Sequence, residues 1–295
     1  MVIDRLVQKI RHLQAPIVVG LDPFLAQIPD FLKKNCGPNP TDFISAFFKE
    51  IIDHISDIVP AVKPQIALYE QFGIDGIRCY FDIVSYARKK GLVVIGDIKR
   101  GDISSSAEGY SAAHIGKQNT EAPADFVTIT PYLGGDSVEP FIDDCKLFDR
   151  GLFVLVKTSN KGSKDIQDVL LENGKPLYAH VARLVSDWGK DTIGEYGYSR
   201  VGAVVGATHP EEALFLRKHM PNTFFLVPGY GAQGGSGKDL KDLWTKDTYG
   251  LIVNSSRGIT GAYKTDKHKA PDTDFAKAAR EAVLAMKKDL GAFIV

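Results

Sequence analysis

An apolar strand that ends in a group of charges is the first indication of chemistry in this sequence. The stretch LVVIGDIKRGDISSSAEGY, residues 92–110, contains Asp97, Lys99, Arg100 and Asp102. A buried ion costs several kcal/mol unless it is paired, so such a group belongs at the surface or where a ligand binds. Side chains alternate along a strand, which puts Asp97 and Lys99 on the same side. Asp102 lies past the end of the strand, and we expect it to point away from its own fold toward a partner.

Two other apolar runs contribute matching charges. Asp22 ends the run in GLDP, and Lys63 lies within the run that continues as VKPQ. Together with Asp97 and Lys99 they predict an alternating array, in which each charge favours the ionised form of its neighbours. We expect the array to face an active-site cavity. The alternative is a buried ion network that only closes the fold. The small net stability that such networks contribute argues against this alternative.

A glycine-rich segment near the other end of the chain predicts a phosphate site. The segment PGYGAQGGSGKD begins at Pro228 and includes Gln233, and Arg257 follows in NSSRG. Glycines let backbone N–H groups approach an anion closely, and the arginine fork fits phosphate. A flexible loop is the alternative. The GYGAQG match to a dinucleotide fingerprint is discounted, because too little chain remains for a second mononucleotide-binding half.

The elements that must position these groups alternate regularly along the chain. Short apolar runs separated by amphipathic helical stretches predict a (β/α)₈ TIM barrel, an α/β fold, as one domain over residues 1–295. A doubly wound open sheet is the alternative. A helix at about 1–14 is expected to pack on the barrel, and Ser105 with Glu108 predicts a capping box at a later helix start. The eight predicted strands are 16–22, 61–67, 92–99, 126–132, 152–158, 201–207, 223–229 and 250–256.

In such a barrel the active site forms at the carboxyl ends of the strands, where the predicted charges lie. Thr158, Ser159 and Asn160 follow the fifth strand and could hydrogen-bond a ligand there. Structural or solvent-exposed polar residues are the alternative, since strand ends often carry such side chains.

Composition excludes several classes of function. The formal net charge is zero, which argues against nucleic acid or an anionic membrane as a partner. No apolar run is long enough to span a bilayer, and the three cysteines form no C-x-x-C pair. The histidines have no metal-ligand spacing, and RGD at 100–102 is too short to indicate adhesion. We therefore expect a cytoplasmic protein without a bound metal.

The motifs taken together resemble a known family. GLDP, VKPQIALYEQFG, D-x-K-x-x-D-I, PGYGAQGG and NSSRG occur in the order typical of orotidine 5′-phosphate decarboxylase in its longer form. The resemblance runs from about residue 17 to 263. It implies a cofactor-free lyase that converts orotidine 5′-monophosphate to uridine 5′-monophosphate, the last step of de novo pyrimidine nucleotide synthesis. The D-x-K-x-x-D motif alone is also found in hexulose-phosphate synthases, which share the barrel.

The resemblance also implies a role for each matching residue. Asp22 and Lys63 would hold the ribose hydroxyls, and Asp97 and Lys99 would flank the reacting carbon. Ser159 would contact the pyrimidine. Gln233, on the loop that begins at Pro228, would bind phosphate together with Arg257. In a homodimer, Asp102 and Ile103 would reach the neighbouring subunit's site. Ser106, a further substrate-binding residue, stands where many relatives have threonine and keeps the hydroxyl.

Two competing functions remain at this point. One is another phosphosugar enzyme on the same barrel, such as a hexulose-phosphate synthase, which a metal requirement would favour. The other is a nucleotide-phosphate binding protein without catalysis, which needs only the glycine-rich end. The set Asp22, Lys63, Asp97 and Lys99 argues against a mere binder, because paired buried ions add little to binding alone.

Overall fold

A closed barrel of eight parallel strands forms the centre of the protein. The structure is a computed structural model, and it describes residues 1–116, 122–208, 210–231, 234–245 and 250–293. Each strand pairs with the next along the chain, and β1 also pairs with β8, so the predicted TIM barrel is confirmed and the open sheet is excluded. The strands are β1 (Ile17–Leu21), β2 (Ala61–Pro64), β3 (Val93–Arg100), β4 (Phe126–Ile129), β5 (Gly151–Lys157), β6 (Ser199–Val205), β7 (Thr223–Val227) and β8 (Leu251–Ser255).

Helices follow the strands and cover the outside of the barrel. Because the strands are buried on both faces, they form continuous apolar runs and not alternating ones. The α-helices are α1 (Val2–Leu13), α2 (Asp30–Asn35), α3 (Pro40–Ile55), α4 (Ala67–Glu70), α5 (Gly73–Lys89), α6 (Ser104–His114), α7 (Glu139–Phe148), α8 (Leu177–Gly189), α9 (Pro210–His219), α10 (Arg257–Thr260) and α11 (Phe275–Gly291).

Helix α1 closes the end of the barrel at which the strands begin. Its buried side chains belong to the same apolar cluster as the side chains inside the barrel. Arg5 Nη2 lies 2.5 Å from Asp125 Oδ1, immediately before β4, which ties the helix to this end. The barrel interior is therefore a packed core, and the opposite end is left as the mouth. The cluster contains Val2, Ile3, Leu6, Val7 and Ile10 of α1 with Val18, Ala61, Val93, Ile95, Phe126, Phe153, Phe224, Leu226 and Ile252 of the strands.

The start of α6 differs from the prediction. The helix begins at Ser104 with Ile103 at the N-cap, two residues earlier than a capping box at Ser105 and Glu108 requires, so that prediction is wrong. The Asp102 carboxylate instead accepts a hydrogen bond from the Ile103 backbone N–H at 2.8 Å. The Asp102 carboxylate thus supplies a hydrogen-bond acceptor for the backbone N–H just before the helix. No helix among the described residues is long and apolar enough to cross a membrane.

Candidate active site

Asp97 is the centre of a hydrogen-bonded group of charges at the mouth of the barrel. Its Oδ2 lies 2.7 Å from Lys63 Nζ, and its Oδ1 lies 2.5 Å from Lys99 Nζ. The Thr128 hydroxyl donates a further hydrogen bond to Oδ1 at 2.8 Å. Three adjacent strands, β2, β3 and β4, supply these groups, so the structure brings together Lys63, Asp97 and Lys99 as the alternation of side chains predicts.

Burial and pairing together set the charges of this group. Burial alone would raise the pKa of Asp97, but the ammoniums of Lys63 and Lys99 outweigh it and hold the pKa well below its ordinary value. Burial opposes the charge of Lys63, yet the carboxylates of Asp97 and Asp22 raise its pKa. Asp97 is therefore ionised and Lys63 protonated at neutral pH. Lys99 has 44% of its side chain exposed, which leaves its ammonium accessible from the cavity.

The backbone at Lys99 is held in an unusual conformation. Its φ of +44° lies in the left-handed region that side chains other than glycine rarely adopt. The Lys99 N–H donates to the Thr128 hydroxyl at 3.1 Å, and the pairing of β3 with β4 shifts register between Gly96 and Arg100. Strain of this kind is found at functional sites, where the surrounding structure enforces it. It turns Lys99 back toward Asp97.

Asp22 lies near the group but is not hydrogen-bonded to either lysine. Its Oδ2 accepts a hydrogen bond from Ser256 at 2.6 Å, and its Oδ1 is buried without a hydrogen-bond partner among the described residues. The approach of Ser256 requires glycine at position 20, since a Cβ there would lie 2.6 Å from the Ser256 Cβ. The predicted four-membered array is thus three directly bonded groups with Asp22 at its side.

A cavity of about 650 Å³ lies above the charged group. Lys63, Asp97 and Lys99 line its charged side, and Pro228 of the glycine-rich segment also reaches it. Another wall comes from β5, the chain after it and the start of α8, and it carries both apolar and polar side chains, including Ser159. This volume suits a small ligand such as a nucleotide. The further lining residues of that wall are Leu155, Val156, Thr158, Asn160, Gly162, Ser163, Ile166, Gln167, Leu177, Tyr178 and Val181.

Five of the predicted site residues that the structure describes are not among those that line this cavity, namely Asp22, Asp102, Ile103, Ser106 and Arg257. Three of these five follow β3. Asp102 is half-buried, and Ile103 and Ser106 are exposed at the start of α6. Ile103 has 48% of its surface exposed, which is high for a large apolar side chain. None of the three lines the cavity described above.

The glycine-rich end is only partly described. Gln233 lies outside the described residues, so its predicted position is not assessed. Arg257 is exposed at the start of α10, and no hydrogen bond or ion pair joins its guanidinium to another described residue. Gly229, Gly231 and Gly234 have φ values of +102°, +70° and +95°, which only glycine adopts without strain.

Sequence reasoning missed several residues of the site. Thr128 bonds both Asp97 and the Lys99 backbone, but a threonine in an apolar strand carries no distinctive pattern. Lys157 is fully buried at the end of β5 and pairs with Asp168. A lysine that ends a buried strand could have been recognised, because an uncompensated ammonium is not tolerated there.

Comparison with known proteins agrees with the geometry. Residues 16–270 match the model of the family described as orotidine 5′-phosphate decarboxylase / HUMPS family. The chain is 42% identical to an orotidine 5′-phosphate decarboxylase from Caldicellulosiruptor bescii, over 99% of this chain and 98% of that protein. It is also 42% identical to the protein of that name from Clostridium tetani, over 98% of each.

A solved structure is similar over nearly the whole length. The structure of Leishmania donovani OMP decarboxylase superimposes with a TM-score of 0.72 at 29% identity, and the match covers 97% of this chain and 99% of that one. The similarity therefore extends over the barrel and its surrounding helices together.

Proposed function

The chain belongs to the orotidine 5′-phosphate decarboxylase / HUMPS family, and from this membership we infer how its residues share the reaction. It is a carboxy-lyase that decarboxylates orotidine 5′-monophosphate to uridine 5′-monophosphate in pyrimidine biosynthesis. The observation that carries the proposed mechanism is the Lys63–Asp97–Lys99 group at the edge of a nucleotide-sized cavity.

Loss of CO₂ from C6 leaves an electron pair that the pyrimidine π-system does not delocalise. Stabilisation must come from charges already in place, which is often the largest contribution to catalysis. We propose that the Lys99 ammonium stabilises this pair as the C6–carboxylate bond breaks. Lys99 then donates its proton to C6, the electron pair forms the new C–H bond, and the neutral amine takes a proton from solvent. This chemistry needs no cofactor.

Asp97 is proposed to act on the substrate carboxylate. Its depressed pKa keeps it ionised, so a substrate carboxylate bound beside it is repelled. The repulsion ends when neutral CO₂ leaves, which lowers the barrier relative to the bound substrate. Lys63 keeps Asp97 ionised and in place through the 2.7 Å contact.

The remaining predicted site residues are proposed to bind the nucleotide. The unpartnered buried Oδ1 of Asp22 can accept a ribose hydroxyl, with Lys63 beside it. Ser159 lies on the wall at which the pyrimidine would be bound. We assign the phosphate to Arg257 and Gln233, beyond Pro228. Binding energy from this distant group can hold the reacting end in position.

We further propose that two copies of the chain complete each other's sites. Asp102, Ile103 and Ser106 follow the catalytic strand directly but do not line their own cavity, and Ile103 exposes an apolar side chain. Both features suit residues that reach the cavity of a partner subunit. A cytoplasmic location remains a prediction.

A direct assay tests the function. The purified protein is incubated with orotidine 5′-monophosphate without added metal, and loss of ultraviolet absorbance reports decarboxylation. Turnover that persists with a chelator supports the cofactor-free proposal, whereas a metal requirement would favour the hexulose-phosphate synthase reading. Absence of turnover under both conditions contradicts the proposed function.

A further inference from the structure

An ion pair between a buried lysine and a partly exposed aspartate lies next to the cavity wall and is not part of the mechanism above. Lys157 ends β5 with none of its side chain exposed, and its ammonium pairs with the carboxylate of Asp168, whose side chain is 30% exposed. The Lys157 Nζ also lies 5.3 Å from the centre of the Tyr178 ring. Lys157 does not line the cavity, but Tyr178 does.

The ion pair attaches an irregular segment to the barrel. Residues 158–176 lie between β5 and α8 and contain only a 3₁₀ turn, Lys161–Asp165, and an isolated bridge between Leu170 and Pro176. The backbone-to-backbone hydrogen bonds that this segment makes with described residues run within it and to the start of α8. Its position against β5 therefore depends on side-chain contacts. Several of its residues nevertheless form a wall of the cavity that Lys99 and Asp97 also line.

Gln167, adjacent to Asp168, provides a second attachment. Its Oε1 accepts from the Thr158 backbone N–H at 3.0 Å, and its Nε2 donates to the Thr158 hydroxyl at 2.8 Å. The Tyr178 N–H donates to the Gln167 carbonyl at 2.9 Å. Thr158, Gln167 and Tyr178 all line the cavity. The Lys157–Asp168 ion pair and the hydrogen bonds of the Gln167 amide to Thr158 therefore attach neighbouring residues of the segment to the end of β5.

A buried ion pair adds little net stability, because removing two charges from water offsets most of their attraction. Its directional contacts can instead select one arrangement of the chain. We propose that Lys157 is a positioning residue whose ion pair with Asp168 holds the 158–176 segment against β5, so that Ser159 and Gln167 face the pyrimidine ring. This inference rests on the proposed function, since it assigns the wall to the pyrimidine end of the nucleotide.

Two ligands separate positioning of the wall from a general effect on folding. Uridine 5′-monophosphate contacts both ends of the site, whereas ribose 5-phosphate lacks the pyrimidine. In Lys157→Met, we expect the Kd of uridine 5′-monophosphate to rise about 10-fold or more, since small misplacements of a binding surface can cost up to about 100-fold. The inhibition constant of ribose 5-phosphate should stay within about twofold of wild type, because the phosphate end is untouched.

The substitution should also affect KM and kcat to different extents. Lys157→Met should raise KM for orotidine 5′-monophosphate more than it lowers kcat, because Lys99 and Asp97 are unchanged. Arg280→Met is the matched control. Arg280 makes an ion pair with Asp57 at 2.5 Å on the outside of the barrel, so its loss should leave both ligands bound as in wild type.

Two results would overturn the inference: unchanged binding of uridine 5′-monophosphate, or an equal loss for both ligands. If Lys157→Met does not fold, as judged by circular dichroism, Asp168→Asn gives the same comparison, because it keeps the side-chain shape and removes the charge. Failure of the proposed function would be visible separately, as wild-type protein that binds uridine 5′-monophosphate but does not decarboxylate orotidine 5′-monophosphate.

Discussion

Asp97 is hydrogen-bonded to Lys63, Lys99 and Thr128 of strands β2, β3 and β4, whereas after the last strand Arg257 is exposed and its guanidinium has no hydrogen bond to another described residue. The first group is ordered by its own internal contacts. The second has freedom to adjust to an anion. Preorganised charges stabilise a transition state without rearrangement during the reaction, whereas a phosphate that does not react needs only to be bound. We therefore assign the rate to the preorganised group that lines the cavity, and part of the affinity to an exposed arginine after the last strand.

The strongest test of this comparison removes the proposed proton donor. Lys99→Ala should lower kcat by more than about 10⁴-fold, since both charge stabilisation and protonation of C6 are lost. Binding of uridine 5′-monophosphate, followed by calorimetry, should remain measurable because the phosphate end is intact. A variant that keeps kcat within about tenfold of wild type would show that Lys99 is not the donor.

At the opposite end, Arg257→Ala should affect affinity. We expect kcat/KM to fall by about 100-fold, mainly through KM, because one charge-assisted contact to phosphate is lost. The side chain is exposed, so the free energy of unfolding should change by less than about 0.5 kcal/mol. Steady-state kinetics and urea unfolding measure the two quantities. An unchanged KM would remove Arg257 from the phosphate site and with it the proposed division of roles.

A smaller test addresses the internal order of the charged group. Thr128→Val keeps the side-chain shape but removes the hydroxyl that donates to Asp97 and accepts from the Lys99 N–H. We expect a loss of about 1–3 kcal/mol in the free energy of unfolding, because a buried donor is left unpaired. We also expect kcat to fall by about tenfold with little change in KM. Equal loss in kcat and in binding of uridine 5′-monophosphate would indicate general disruption instead.

The same comparison explains what the sequence could and could not predict. Regular alternation of strands and helices is enough to predict the barrel, and the period of two along β3 places Asp97 beside Lys99. Thr128 could not be found in this way, because its contacts depend on the register shift between β3 and β4. The left-handed backbone at Lys99 is imposed by the same tertiary contacts.

The wall of the cavity was still less predictable. The partner of Lys157 is Asp168, which lies in a segment without regular structure, so no periodicity indicates which charge meets which. The glycine-rich segment shows the converse case. Its composition points to an anion, and positive φ at Gly229 and Gly231 agrees with the close turns that glycine permits. Composition does not, however, fix the position of a side chain.

The smallest expected effect concerns stability in acid, which should depend on Asp97 and not on Arg257. Because the pKa of Asp97 is depressed in the folded protein, its contribution is present above its ordinary value of about 3.9 and is lost as pH falls toward the folded value. The free energy of unfolding should therefore decline below about pH 5, with this group contributing up to about 1.4 kcal/mol per pH unit. Asp97→Asn should make the decline between about pH 5 and 3 shallower, even though the variant is less stable at neutral pH.

Urea unfolding at a series of pH values measures this slope, and Arg257→Ala serves as the control that should keep the wild-type slope. A carboxylate held ionised by buried partners takes up its proton on unfolding in this range, whereas an exposed arginine does not. Arg257 is exposed and has no such partner among the described residues. If Asp97→Asn and wild type decline with the same slope, Asp97 is not held ionised by Lys63 and Lys99. The charged group would then lack the electrostatic order on which its assignment to catalysis depends.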